Sequence, residues 1–195
     1  MSQKQKGRFI KIAGLCGVIG PVIALSSISL SILYAPWFSW IKNALSDLGV
    51  YGISAVIFNS GLIICGVLTA IFGIGVQEIL PKRILSSIGR ITLTLDCIDL
   101  CAIGIFPETA GRIHFYVSVV FFVLLSISLI LIGADALREQ SRRKEGIYMI
   151  LSGILTAVVW LFPWEGVAIP ETVAALTISL WSMVLGFRLF RSMYS

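Results

Sequence analysis

Charged residues are scarce in this chain of 195 residues: they make up 13% of it, whereas hydrophobic residues make up 57%. A soluble domain has roughly a quarter of its residues charged, because these residues cover its surface. The shortage excludes an ordinary water-exposed surface, and lipid is the simplest replacement for it. The net charge of +5 comes from short basic clusters between apolar runs. Such clusters set membrane topology, so we expect no nucleic-acid partner.

Cysteine and histidine are also few, and neither forms a recognisable metal or disulfide motif. The four cysteines fall inside apolar runs without a CxxC pattern, which argues against a secreted disulfide framework. Cys97 and Cys101 are one helical turn apart, where a disulfide would be strained. His114 is the only histidine, which is too few for a closed zinc site. A divalent cation held mainly by carboxylates stays open as a cofactor, with no ligand set defined.

The sequence does contain six apolar runs, each close to the ~20 residues that cross ~30 Å of hydrocarbon as a helix. Backbone polar groups in a bilayer must bond within their own segment, so runs of this length predict helices. We therefore expect residues 1–195 to form one all-α transmembrane domain, an integral membrane bundle of six transmembrane helices. The predicted helices cover about residues 10–34, 54–76, 84–106, 114–135, 147–163 and 171–190.

Lysine and arginine are divided unevenly between the connections that these helices imply. If the N-terminus lies inside, all but two of the 15 Lys and Arg residues fall on the inner side, and the exceptions are Lys42 and Arg112. Cytoplasmic connections of membrane proteins are enriched in these residues. The sequence therefore predicts a multi-pass protein of the cell membrane with both termini in the cytoplasm.

The longest outer connection, about residues 35–53, has apolar residues at helical spacing. Pro36 is suited to begin a helix there and Gly49 to end it, which would place Asp47 in its last turn. We predict a short amphipathic helix lying in the outer membrane interface. The apolar positions that indicate it are Trp37, Phe38, Ile41, Ala44, Leu45 and Leu48.

The third helix carries two acidic residues inside its apolar run. If it spans residues 84–106, Asp96 lies near the bilayer midplane and Asp99 lies ~4.5 Å further out on the same face. A charge at that depth costs at least ~2.5–3.5 kcal/mol, so each carboxylate must face the bundle interior, a water-filled cavity or a partner group. Two interpretations stay open: functional acids, or a hydrogen-bonded pair that joins neighbouring helices.

Other polar residues gather near the outer end of the predicted bundle. Asn59 lies in the outer half of the second helix, Glu108 follows a Phe-Pro turn, and His114 opens the fourth helix. Glu165 and Glu171, in the last outer loop, are interpreted as acids that the outer face tolerates. We take as candidate catalytic residues Asp99, His114 and Asp96, and as candidate substrate-binding residues Asp47, Asn59 and Glu108.

Three short motifs carry a resemblance to a known family. They are Leu45-Ser-Asp-Leu-Gly49, Phe58-Asn-Ser-Gly-Leu62 and Gly104-Ile-Phe-Pro-Glu108, the last followed by His114. In this order and spacing they resemble the domain of unknown function 998 family, small polytopic membrane proteins of archaea and bacteria. The resemblance covers nearly the whole chain and implies a six-helix membrane fold. It picks out Asp47, Asn59, Glu108 and His114, and it implies no reaction.

Three hypotheses about function stay open. The first is a lipid-handling protein or an enzyme acting on a lipid headgroup, with Asp99 or His114 as general base or metal ligand. The second is a small proton-coupled transporter that uses Asp96 and Asp99 as its relay. The third is a non-catalytic membrane subunit or scaffold, indicated by the small residues Gly14, Gly17 and Gly20. The expected partners are membrane lipid and either another membrane subunit or a second copy of the chain.

Overall fold

The computed structural model describes residues 2–191, which form six long helices and no strand. The all-α class is therefore confirmed for this part of the chain. Short connections join the helices, and several contain a single turn of 3-10 helix. The helices are α1 (Gln3–Leu33), α2 (Gly52–Ile79), α3 (Ile84–Ile105), α4 (Arg112–Ala136), α5 (Arg143–Val158) and α6 (Ala168–Arg191).

Five of these helices are long and apolar enough to cross a membrane: α1, α2, α4, α5 with its flanking 3-10 turns, and α6. The exception is α3, which carries Arg90, Asp96 and Asp99. The helix bounds agree with the predicted runs to within a few residues, apart from the start of α1. That helix begins at Gln3, because Ser2 and Gln5 form a reciprocal capping box there.

The helices follow one another around a ring, and α6 closes the ring against α1. Contacts between α5 and α6 are the sparsest at any of these junctions. The interior contains two packed apolar clusters, one nearer each end of the bundle. The start of α1 and the end of α6 lie at one end, together with the connections α2–α3 and α4–α5. The connections α1–α2, α3–α4 and α5–α6 lie at the other, which we call the loop end.

Small residues allow α1 to approach its neighbours closely. A Cβ on Gly14 would lie 2.6 Å from the carbonyl oxygen of Gly186 on α6, and a Cβ on Gly17 would collide with the ring of Phe72 on α2. A Cβ on Gly20 would lie 3.1 Å from the methyl group of Thr69. The close helix packing expected from these glycines therefore occurs within this chain.

The interfacial helix predicted over about residues 35–53 does not form. Only the 3-10 helix Ser46–Gly49 appears in this connection, and the rest consists of turns. The carbonyls of Ile41 and Asn43, which an α-helix would bond internally, accept hydrogen bonds from the amides of Gly166 and Ala168 at 2.7 and 2.9 Å. The prediction was wrong because this segment is bonded to the α5–α6 connection.

The second half of the same segment is covered by the bundle, whereas Trp37, Trp40 and Ile41 stay exposed. Leu45 is 5% exposed and Leu48 is fully buried, and both belong to the apolar cluster at the loop end. Helical spacing alone did not distinguish a lipid surface from this protein surface, since both bury apolar side chains. The connection therefore closes the loop end of the ring.

Candidate functional site

The 3-10 helix Ser46–Gly49 is fixed to α2 by two side chains. Ser54 donates a hydrogen bond to the Leu48 carbonyl at 2.8 Å, and the Asn59 amide donates one to the Gly49 carbonyl at 3.0 Å. Gly49 is needed at this contact, because a Cβ there would collide with the Asn59 side chain. Asn59, predicted to bind substrate, thus holds the loop that carries Ser46 and Asp47.

The Asp47 side chain accepts several hydrogen bonds. One of its carboxylate oxygens accepts hydrogen bonds from the Asn43 amide at 2.7 Å and from the Ala44 backbone at 2.9 Å. Such side-chain bonds to the local backbone compete with helix formation, which is a second reason for the missing interfacial helix. Its carboxylate also shares a hydrogen bond with Glu108.

Glu108 and Glu171 bring carboxyl groups from two further connections to the same place. Glu108, in the 3-10 turn between α3 and α4, accepts a hydrogen bond from the Ser46 hydroxyl at 3.4 Å. Glu171, in the first turn of α6, accepts one from the Leu45 amide at 2.5 Å. Three acidic residues that are distant in sequence therefore surround the first 3-10 helix.

The carboxyl groups of Asp47 and Glu108 share a hydrogen bond, and their pKa values are shifted in opposite directions. Burial raises the pKa of Glu108, and the hydrogen bond and negative charge of Asp47 raise it further, to about 7. Burial would raise the pKa of Asp47 as well, but its hydrogen bonds from Glu108, Asn43 and Ala44 outweigh burial and lower it. Below pH ~7 the shared proton therefore resides on Glu108, which donates a hydrogen bond to ionised Asp47.

His114 is buried at the start of α4, with 8% of its surface exposed. Its Nδ1 lies 2.7 Å from the Phe106 carbonyl oxygen, which can only accept, so Nδ1 carries the proton of the neutral ring. The Ser118 hydroxyl lies 3.3 Å from Nε2. The carbonyl thus fixes the tautomer in which Nε2 is a proton acceptor.

A groove of about 960 Å³ runs along α4, and we call it the lateral groove. It extends from Gly111 to Ile130, on the order of 28 Å of helix at ~1.5 Å per residue. The walls away from the loop end are mostly apolar, and include Val119, Val123 and Ile127. The polar side chains are concentrated at the loop end: Ser46, Glu108, His114, Ser118 and Glu171.

A second, smaller space of about 120 Å³ lies inside the ring, and we call it the interior cavity. Asp96 lines it and is 3% exposed, and one of its carboxylate oxygens lacks a hydrogen-bond partner within residues 2–191. Asp99 is half-buried on the same helix and lies outside the walls of both spaces. The interior cavity and the lateral groove share four wall residues: Ser46, Ser118, Phe122 and Glu171.

The predicted site residues are therefore divided among three places. Glu108 and His114 line the lateral groove with Asp47 beside them, Asn59 supports the loop, and Asp96 faces the interior cavity. Glu171, interpreted from the sequence as an ordinary outer acid, joins the site instead, as do Ser46 and Ser118. An acid in the first turn of a helix is common, so no specific sequence signal distinguished Glu171. Residues 2–191 contain no group of three His, Cys, Asp or Glu side chains that could hold a metal ion.

The comparison with known families agrees with the resemblance carried by the three motifs. The family described as protein of unknown function (DUF998) matches residues 18–188, which is most of the chain. The chain belongs to this family. No curated protein and no solved structure matches it.

Proposed function

We propose that this DUF998 protein crosses the cell membrane six times, with both termini in the cytoplasm, and that it binds and handles a membrane lipid in the lateral groove. The observation that carries the proposal is the form of the groove. Its polar, acidic end contains His114, and it continues into an apolar wall along α4. An amphiphilic ligand with a polar headgroup and an acyl chain matches that arrangement.

The distribution of side chains on α3 supports a sixth membrane span. Its 22 residues reach ~33 Å, enough to cross the hydrocarbon core. Asp96 and Arg90 are buried within the protein, at 3% and 8% exposure. The opposite side is apolar and about half exposed, which is what a lipid-facing helix requires. The exposed residues are Ile88, Ile91, Leu95 and Ile98.

The size of the groove suits a lipid rather than a small metabolite. Its volume of about 960 Å³ lies at the upper end of the ~300–1,000 Å³ usual for ligand sites. The apolar part would take an acyl chain along Val119, Val123 and Ile127. The carboxyl groups at the loop end favour a headgroup that presents hydroxyl or ammonium donors, because carboxylates accept hydrogen bonds and repel anions.

The same end of the groove contains the two groups that proton transfer requires. His114 presents Nε2 as an acceptor, and Glu108, with a pKa of about 7, holds a proton that it can release near neutral pH. We infer that His114 and Glu108 accept and donate protons in a reaction of the lipid headgroup. Asp96 and Asp99 lie outside the groove wall, so we assign them no role in this proton transfer.

The alternatives keep different degrees of support. The glycines that motivated a scaffold pack against α2 and α6 of this chain, so they no longer indicate a separate partner. A second subunit or a second copy of the chain stays a prediction. A proton-coupled transporter also stays a prediction, with Asp96 in the interior cavity as its intramembrane acid.

A matched pair of variants on α4 tests the lipid proposal. Val123 lines the lateral groove, whereas Val120 lies outside it, and the two are similarly exposed at 50% and 46%. We expect Val123→Trp to reduce the lipid that co-purifies with the protein in mild detergent at least several-fold, and Val120→Trp to retain it. The measurement is extraction and quantitative mass spectrometry of bound lipid. Equal retention by the two variants would contradict the proposal.

A further inference from the structure

The interior cavity has an unusual combination of wall residues for a space inside a membrane bundle. Two acidic residues, Asp96 and Glu171, line it, and its wall within the described chain contains no Lys, Arg or His. These two acidic side chains therefore face no basic side chain on the described wall. Five aromatic residues surround the same space: Phe58, Phe72, Phe121, Phe122 and Trp181.

Among the described wall residues, Asp96 is the acidic side chain with an unpartnered oxygen. It is 3% exposed, and its Oδ1 has no hydrogen-bond partner among the described residues. An ionised carboxylate at this depth is costly unless a positive or hydrogen-bonding group accompanies it. Asp99, one turn along α3, adds a second negative charge nearby rather than a compensating one. An ionised Asp96 therefore requires a partner from the contents of the cavity.

We propose that the interior cavity binds a small organic cation, an ammonium group attached to a compact apolar group. Asp96 is its counter-ion, and the rings of Phe72, Phe122 and Trp181 surround its apolar part and attract its charge. Aromatic faces and a carboxylate without a basic neighbour favour a cation over a neutral alcohol, because the alcohol gains neither the ion pair nor the cation–π contacts.

The size and the access route restrict the ligand further. An apolar cavity of about 150 Å³ holds one benzene molecule, so about 120 Å³ fits a ligand somewhat smaller than benzene. The four residues shared with the lateral groove give a path inward, and Glu171 places a carboxyl group on that path. The cation site does not rest on the proposed lipid function, since its charged residue faces a separate space.

Calorimetric titration of the full-length protein in detergent tests the proposal with two probes of equal shape. Isobutylamine is positively charged at neutral pH, and isobutyl alcohol is its neutral counterpart; titration into empty micelles corrects for partitioning. We expect saturable binding of isobutylamine at least tenfold tighter than that of isobutyl alcohol. Asp96→Asn should abolish this difference, and Asp99→Asn, on the same helix but outside the cavity wall, should retain it.

A third variant locates the binding without changing charge. Ala175 lines the cavity, and Ala175→Leu fills part of it, so both probes should bind at least tenfold more weakly. If Asp96→Asn fails to fold, as judged by gel filtration and melting temperature, the two-probe comparison and Ala175→Leu still decide the question. The proposal is overturned if isobutylamine binds no more tightly than isobutyl alcohol. It is also overturned if both Asn variants lose isobutylamine equally, or if Ala175→Leu leaves binding unchanged.

Discussion

The contact between the first and last loop-end connections can be tested at one glycine, Gly166. A Cβ added to Gly166 would collide with the backbone of Lys42 and Asn43, neither of which can rotate away as a side chain would. Forced overpacking of this kind costs about 1–3 kcal/mol. The chain can avoid the collision only by separating the two connections, which loses the hydrogen bonds from Gly166 and Ala168.

The cost of that separation can be worked out independently. Two backbone hydrogen bonds, at 2.7 and 2.9 Å, contribute a net ~0.5–1.5 kcal/mol each, or about 1–3 kcal/mol together. The overpacking estimate and the hydrogen-bond estimate therefore both predict that Gly166→Ala lowers the free energy of unfolding by about 1–3 kcal/mol. For a chain of this length that corresponds to a fall in melting temperature on the order of 5 °C. Differential scanning fluorimetry of the detergent-purified protein measures it.

Gly73, within α2, provides the matched control. A Cβ there would meet the Thr94 hydroxyl at 3.3 Å, a side-chain atom that can move by a few tenths of an ångström. Alanine is also favoured over glycine inside a helix by about 1 kcal/mol. We expect Gly73→Ala to melt at or slightly above the wild-type temperature. An unchanged melting temperature for Gly166→Ala would refute the reasoning about the loop contact.

Three further predictions concern the site. Because the pKa of Glu108 is raised from 4.5 to about 7 in the folded protein, its contribution to stability is complete below pH ~4.5 and is lost as pH rises through 7. The melting temperature should therefore fall between pH 5 and 8, and Glu108→Gln should flatten that dependence; an equal slope in the variant would contradict the assignment. Asn59→Ala removes the hydrogen bond to the Gly49 carbonyl and should destabilise the protein by about 1–2 kcal/mol, measured as a shift in melting temperature. The same shift in Ser60→Ala, an exposed neighbour bonded only within its own helix, would show that Asn59 has no special part. His114→Gln should lower lipid retention more than Arg112→Gln, since only His114 lines the lateral groove; equal retention in the extraction assay would argue against it.

The sequence predicted the helices well because each apolar run has one stable solution in a bilayer, a helix with its backbone bonded internally. The connection over residues 35–53 lacked that constraint. Its apolar spacing allowed an interfacial helix, but the Ile41 and Asn43 carbonyls accept hydrogen bonds from the amides of Gly166 and Ala168, which are distant in the sequence. Local periodicity contains no information about such long-range pairs.

The candidate site was predictable in part for the same reason. Glu108 and His114 could be placed at one end because each adjoins a helix terminus, and both line the lateral groove. The depth of Asp96 followed from its position in the third run. Asp96 and His114 line different spaces because of how α3 and α4 are rotated about their axes, which the sequence does not determine. Glu171 was missed because its partner, the Leu45 amide, is brought near only by the folded ring.

The most direct test of lipid binding in the lateral groove is a structure of the protein in a lipid nanodisc. The account predicts density for one lipid, with its headgroup within hydrogen-bond distance of Glu108 or His114 and its acyl chain along Val119, Val123 and Ile127. A groove closed by α5 and α6 packing against α4, or one without lipid density while neighbouring annular lipids are visible, would contradict it.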